Sequence, residues 1–269
     1  MKLRSRSTRS NNVFSPGSLH GVKLYWNEPQ RALQLGKKRL PSDVRTVGQM
    51  RALLQDRVFA AGAPSNRGLY YMHRGVCMPR DAKLFARFNI RYDVMVFPKG
   101  SLGGELSKTF GHYHPPAVFK PKLSYPELYE VLYGEALFLL QRRGSAESVL
   151  VRARAGEKVL IPPNWGHVSM NARPSKTLVE VNLIFPDFKA DYKPYVKNRG
   201  ASHYVLANGV AVKNPHYGKV RLREVSARDW SPKWLDVKES IYALFLKKPG
   251  DFAFLRDPRL LARGRALPA

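Results

Sequence analysis

His112 and His114 are separated by one residue in TFGHYHPP, residues 109–116, of a chain with seven histidines. In extended backbone, side chains alternate between faces, so the two imidazoles share one face and Tyr113 takes the other. Two neutral imidazoles on one face are half of a metal site, of a kind that suits zinc, iron, nickel or copper. The inert alternative is a pair of histidines in a turn before Pro115 and Pro116. Further donors follow downstream. YPELYEVLYG, residues 125–134, brings Glu127 and Glu130. Three apart, these carboxylates face opposite ways on a strand, so only one can look at the histidines. GEKVLIPPNWGHVSMN, residues 156–171, brings a third histidine, His167.

The elements that must position these donors read as strands. YDVMVF, residues 92–97, is rich in β-branched and aromatic types. The apolar runs VLY from Val131, ALFLL from Ala136 and VLI from Val159 are punctuated by Gly and Pro. Short strands at fairly even spacing predict an all-β fold, a small antiparallel barrel with strands within residues 68–185. Outside the barrel, VGQMRALLQDR, residues 47–57, predicts a short helix, because Met50, Leu53 and Leu54 share a face at helical spacing. SIYALFL, residues 240–246, predicts another.

The donor-bearing stretches resemble the cupins. The first cupin motif has HxH, then a Glu, six residues and a Gly; His112, His114, Glu127 and Gly134 fit it, and that arithmetic selects Glu127 over Glu130. The gap between His114 and Glu127 is longer than usual. The second motif has Gly, five residues, Pro-x-Gly, two residues, His, three residues and Asn. Gly156, Pro162, His167 and Asn171 fit it, with Asn164 where the motif has Gly. Asn tolerates positive φ better than most residues, so the turn can survive. Within the cupins, TFGHYH, YPELYEVLYG and IPPNWGH are similar to the cupin-type glucose-6-phosphate isomerases. The resemblance runs from about residue 22 to 258 and is strongest over residues 93–187. It implies a double-stranded β-helix or jelly-roll barrel over residues 22–212. A basic tail at residues 1–21 precedes it, and a basic extension at residues 213–269 packs on the barrel, with short helices in both extensions.

The resemblance also implies roles. His112, His114, Glu127 and His167 would hold one divalent ion, with iron, manganese, nickel and zinc not distinguished. Thr109 and Gly111, just before HxH, would sit near the substrate phosphate. Tyr129, two residues after the glutamate, would lie in the pocket beside Glu127, the candidate catalytic base. A tyrosine of the early strand would reach the phosphate, Tyr71 as the best match and Tyr70 as the alternative. Tyr192 would contribute from beyond the barrel. Two positions depart from the family pattern: Met95 replaces a threonine and Phe185 replaces an aromatic hydroxyl. Each missing hydroxyl removes a hydrogen bond of about 0.5–1.5 kcal/mol. The implied reaction interconverts glucose 6-phosphate and fructose 6-phosphate, by proton or hydride transfer. A carboxylate beside a cation has a low pKa, which makes Glu127 a weak base.

The charge is unusual. Lys and Arg number 46 against 20 Asp and Glu, giving +26. Residues 89–186 carry only +4 of this, leaving +22 on the flanks. One sugar phosphate needs few positive groups. The flanks therefore point to a second class of function: a cupin recruited as a basic, RNA-contacting subunit of a ribosome, mitochondrial or other, with activity reduced or lost. Arg4, Arg6, Arg9, Lys219, Arg221 and Arg223 are the candidate phosphate contacts. No zinc-finger, RNP or GXXG signature accompanies them. The Arg- and Ser-rich start resembles a mitochondrial transit segment, so a mitochondrial matrix location stands beside a cytoplasmic one. The insertion AVFKPKLS, residues 117–124, adds Lys120 and Lys122 near the expected pocket mouth. Cys77 is the only cysteine, which excludes an internal disulfide. No apolar run is long enough to span a bilayer. The barrel is compatible with a homodimer.

Overall fold

The computed structural model describes residues 13–262, apart from His20 and Phe119. Ten strands frame the site and are labelled here in chain order. They are β1 (Asp43–Thr46), β2 (Gly68–His73), β3 (Arg91–Phe97), β4 (Glu127–Tyr133), β5 (Glu135–Arg142), β6 (Glu147–Arg154), β7 (Lys158–Ile161), β8 (Trp165–Asn171), β9 (Leu178–Ile184) and β10 (Arg221–Ser226). One sheet has the order β7-β4-β9-β3-β2-β1 and the other β8-β5-β6-β10. The β6–β10 pairing is parallel; every other pairing among the described strands is antiparallel. This is the cupin jelly roll, all-β with a few short helices.

Strand parity organises the interior. Val131, Phe138, Leu140, Val149, Val151 and Val159 fill the space between the sheets. Their neighbours in sequence face outward and are also covered, which is why ALFLL reads as a continuous apolar run rather than an alternation. Leu137, Leu139 and Leu150 pack outward against Leu53, Tyr195 and Val205. Leu128, Val94 and Val181 pack outward against Trp26, Tyr242 and Phe245. Trp26 belongs to a four-stranded meander that begins with a strand at Val13–Leu19. Part of the stretch read from sequence as basic tail is thus a strand, with Leu19 buried in the same cluster as Trp26.

The helix expected over residues 47–57 is broken. Val47–Met50 is one α-helical turn, Arg51–Leu53 is 3₁₀, and Leu54 is extended. A new helix starts at Arg57–Gly62, with the Asp56 carboxylate accepting from Phe59 N at 2.8 Å. Leu53 and Leu54 go to different clusters. The C-terminal helix Ile241–Lys247 forms as its sequence predicts, capped by Ser240 Oγ, which accepts from Ala243 N at 3.2 Å. Its N-terminus is pinned to the outer face of β4, where Glu130 accepts from Ile241 N at 2.7 Å.

Candidate metal centre

The inner face of the six-stranded sheet is the floor of the site. Register sets Glu127 opposite Ile184 and Ile161, Tyr129 opposite Asn182, and Asn182 opposite Asp93. His167 comes from β8, opposite Leu140. His112 lies outside any named strand, yet its backbone is extended against β8: His112 N donates to His167 O at 3.2 Å and His167 N to His112 O at 3.0 Å. This keeps the alternation that sends His112 and His114 inward. Tyr113 takes the other face and packs on Gly166, where a Cβ would stand 2.7 Å from its ring.

His112, His114, Glu127 and His167 converge, each offering one donor atom, all within 4.8 Å of one another. His112 Nε2 and His114 Nε2 are 3.1 Å apart. Glu127 Oε2 is 3.2 Å from His114 Nε2 and 3.3 Å from His167 Nε2. Donors bound at about 2.0–2.2 Å to a common ion stand roughly 3.0–3.6 Å from each other. The spacing fits a metal. Orientation fits too. His114 Nδ1 donates to Tyr125 O at 2.8 Å, which leaves the Nε2 lone pair aimed at the cluster. Asn182 Nδ2 donates to Glu127 Oε1 at 2.6 Å, while Oε2 is buried without a hydrogen-bond partner.

The electrostatics favour neutral His112 and His167 beside one carboxylate. Burial, then the neighbouring His167 and His114, holds His112 well below the usual histidine range. Burial also lowers His167, partly offset by Glu127. Burial would raise Glu127, but the adjacent His114 and His167 outweigh it and hold the carboxyl well below its ordinary value. Tyr129, its hydroxyl 3.1 Å from His167 Nε2, is pushed well above 10 by burial and stays a neutral phenol.

His112, Glu127 and His167 open into a cavity of about 510 Å³, also lined by Thr109, Gly111, Tyr129, Tyr192, Met95 and Phe185. That is within the usual size of small-molecule sites. Gly111 has φ +82, and a Cβ there would lie 2.5 Å from Tyr195 and Val168. Tyr71 is the correction. It does not line this cavity; Tyr70 does. Tyr70 stands opposite Arg45 on the inner face, and the next residue must point the other way, so Tyr71 lies 5.6 Å from Trp26 in the outer cluster.

Sequence reasoning missed Asn182, and only the period-2 pattern of VEVNLI places it inward beside Tyr129. It also missed what Asn164 does. Asn164 has φ +71. Its Oδ1 accepts from Ser124 N at 2.9 Å and its Nδ2 donates to Lys122 O at 2.9 Å. The side chain thereby braces the insertion hairpin, Pro116–Ala117 paired with Lys120–Ser124, one residue before the Tyr125 carbonyl that orients His114. Lys120 and Lys122 are exposed and do not line the cavity. Arg4, Arg6 and Arg9 lie outside the described residues. Lys219, Arg221 and Arg223 are exposed, the last two on β10 at the sheet edge away from β8, and none lines the cavity.

The model of the family described as glucose-6-phosphate isomerase matches residues 44–221. No curated protein sequence matches the chain significantly. Among solved structures, a Bacillus subtilis oxalate decarboxylase variant is 15% identical over 46% of this chain and 25% of its own, with a TM-score of 0.31. The Drosophila melanogaster CENP-C cupin domain is 19% identical over 34% of this chain and 57% of its own, with a TM-score of 0.26. AerE from Microcystis aeruginosa is 16% identical over 43% of this chain and 40% of its own, with a TM-score of 0.28. The chain thus spans about a quarter of the oxalate decarboxylase and less than two thirds of the other two.

Proposed function

The chain belongs to the cupin-type glucose-6-phosphate isomerase family, and on that premise we propose that it interconverts glucose 6-phosphate and fructose 6-phosphate, with one divalent ion held by His112, His114, Glu127 and His167. The observation that carries this reading is the convergence of those four donors, three of them buried, beside a cavity of small-molecule size. The ion, when bound, supplies Lewis acidity toward a carbonyl oxygen. The reaction moves one hydrogen from C2 to C1 and one hydroxyl proton from O2 to O1, with no net oxidation. Glu127 stays ionised, with Oε1 held by Asn182 and Oε2 turned toward His114 and His167. Tyr129 keeps its phenolic proton and can donate it to a substrate oxygen. Proton and hydride transfer both satisfy this balance; turnover in D₂O separates them, because only the proton route carries deuterium to C1.

Purified protein loaded in turn with iron, manganese, nickel and zinc should convert fructose 6-phosphate with at least one of them. A chelator should abolish turnover. Glu127→Gln should lower it by at least about 100-fold. Absence of turnover with all four metals would overturn the reading.

The basic flank supports a second reading, a nucleoprotein subunit. Lys219, Arg221 and Arg223 are exposed at or just before an edge strand remote from β8. Basic residues on an edge strand also guard against strand-to-strand association, without any RNA. Sedimentation with ribosomal RNA that is lost on charge reversal of these three would favour the subunit. A chain that sediments alone at low salt would end it.

A further inference from the structure

Four cations line the cavity of the metal centre: Arg45, Arg74, Arg91 and Lys189. Two are already neutralised. Arg91 forms a pair of hydrogen bonds to Asp93, its Nη2 at 2.8 Å from Oδ2, and Arg74 reaches Asp43 at 2.9 Å and Asp93 at 3.7 Å. Lys189 is exposed. Arg45 differs from all three. It is half-buried, and no carboxylate among the described residues pairs with it. Its guanidinium lies over the Phe110 ring, 5.4 Å from the centroid, and its Nε donates to Tyr70 Oη at 3.3 Å. A partly desolvated cation held in place without a counter-ion is poised for an anion that arrives with the ligand.

The neighbouring groups are donors as well. Tyr70 Oη accepts from both Arg45 Nε and Phe110 N, the latter at 3.2 Å, so its own proton is left to donate outward. Thr109 Oγ1 accepts from Ser169 N at 2.9 Å, and its nearest internal acceptor, Ser169 O, is 3.5 Å away, long for a hydroxyl donor. With Nε engaged, both terminal nitrogens of Arg45 remain free to fork onto two oxygens. Met72, Met95 and Phe185 complete the wall and offer an anion nothing. A group of several acceptor oxygens and net negative charge satisfies such donors; a sugar hydroxyl, which must also donate, does not.

We propose that Arg45 is the specificity-determining charge of this site, holding the phosphomonoester end of the substrate together with Tyr70 and Thr109. Thr109 and Tyr70 are where the family resemblance puts the phosphate; the identity of the substrate rests on the isomerase reading, and the assignment of Arg45 on the cavity alone. The chain places Arg45 there through register, opposite Tyr70 on the outermost strand of the floor.

The test uses the metal-loaded full chain, with Arg45→Gln and Arg45→Lys, after circular dichroism and melting have shown that each variant folds. Arg45→Gln should raise KM for fructose 6-phosphate about 10- to 100-fold while kcat stays within about threefold, because a charge-assisted hydrogen bond to a remote group is being removed. Arg45→Lys should fall between the two. Calorimetric affinity for inorganic phosphate should weaken by the same factor, fructose 6-phosphate should displace the phosphate, and binding of unphosphorylated fructose should not change. A KM within twofold of wild type, an equal loss toward free fructose, or phosphate that fructose 6-phosphate cannot displace would each overturn the assignment. If wild type turns over no sugar phosphate, the isomerase reading falls, and Arg45 is judged by phosphate affinity alone: no phosphate binding at about 10 mM, or none lost in Arg45→Gln, overturns it.

Discussion

Glu180 should make the protein less stable as pH rises, and Glu180→Gln should remove that penalty. The residue sits on β9 with no exposed surface, between Met95 and Val131 in register. Ser169 Oγ donates to Oε1 at 2.6 Å, but Oε2 has no hydrogen-bond partner. Burial, against the lowering by Ser169 and with a further push from Glu127, raises its pKa from 4.5 to about 8. The folded state thus keeps a proton that the unfolded chain releases near 4.5. Stability from this group is fully present below that pH and is lost as pH climbs through about 8. At about 1.4 kcal/mol per tenfold, the gap amounts to a ceiling of about 5 kcal/mol. Glutamine keeps the shape, keeps an oxygen for Ser169 and cannot ionise. The assay is urea unfolding of wild type and Glu180→Gln from pH 5 to pH 9, with EDTA present in both. The difference between the two proteins should grow by about 2–5 kcal/mol in favour of the variant across that range. Parallel stability curves would refute the reasoning, since Glu180 would then titrate alike in both states.

Two further predictions concern the supports of the candidate metal ligands. Asn164→Gly keeps the positive φ but loses the hydrogen bonds to Ser124 and Lys122, which should cost about 1–2 kcal/mol in denaturant unfolding. Asn164→Ala adds the left-handed strain and should cost about 1 kcal/mol more, so equal losses would show that φ is not the constraint. Asn182→Leu removes the donor to Glu127 Oε1 and should weaken metal affinity about 10- to 100-fold, read by competition with a chelator. Unchanged affinity would mean that Glu127 needs no such support.

The fold was legible because its strands carry apolar residues at the period that burial on two faces demands, and the motif spacing set the barrel in register. The extensions were less legible. A run that satisfies helical spacing, VGQMRALLQDR, is cut at Leu54, because Leu53 and Leu54 fill two different cores and Asp56 is a better cap than an interior residue. Tyr70 and Tyr71 could not be told apart by wording, since a shift of one residue exchanges faces and only pairing with Arg45 and Val96 fixes which is inward. Asn182 and Arg45 belong to no motif. Their importance comes from what lies across the strand from them, which a linear pattern does not state.

Glu127 and Glu130 show how far one strand can separate two identical side chains. Both are buried on β4, three residues apart, and face opposite ways. Inward, Glu127 meets two imidazoles and the Asn182 amide, and is held ionised well below its ordinary value. Outward, Glu130 meets apolar packing, the Ile241 amide and Lys158, and burial outweighs both partners to raise it to about 7. The signs oppose. Glu127 contributes stability above about 4.5 that is lost as pH falls through its depressed pKa, whereas Glu130 contributes stability below about 4.5 that is lost as pH rises through about 7. The same carboxylate thus joins a cluster that could hold a metal on one face. On the other it pins the C-terminal helix, and the cost of burying its charge grows as it ionises near pH 7.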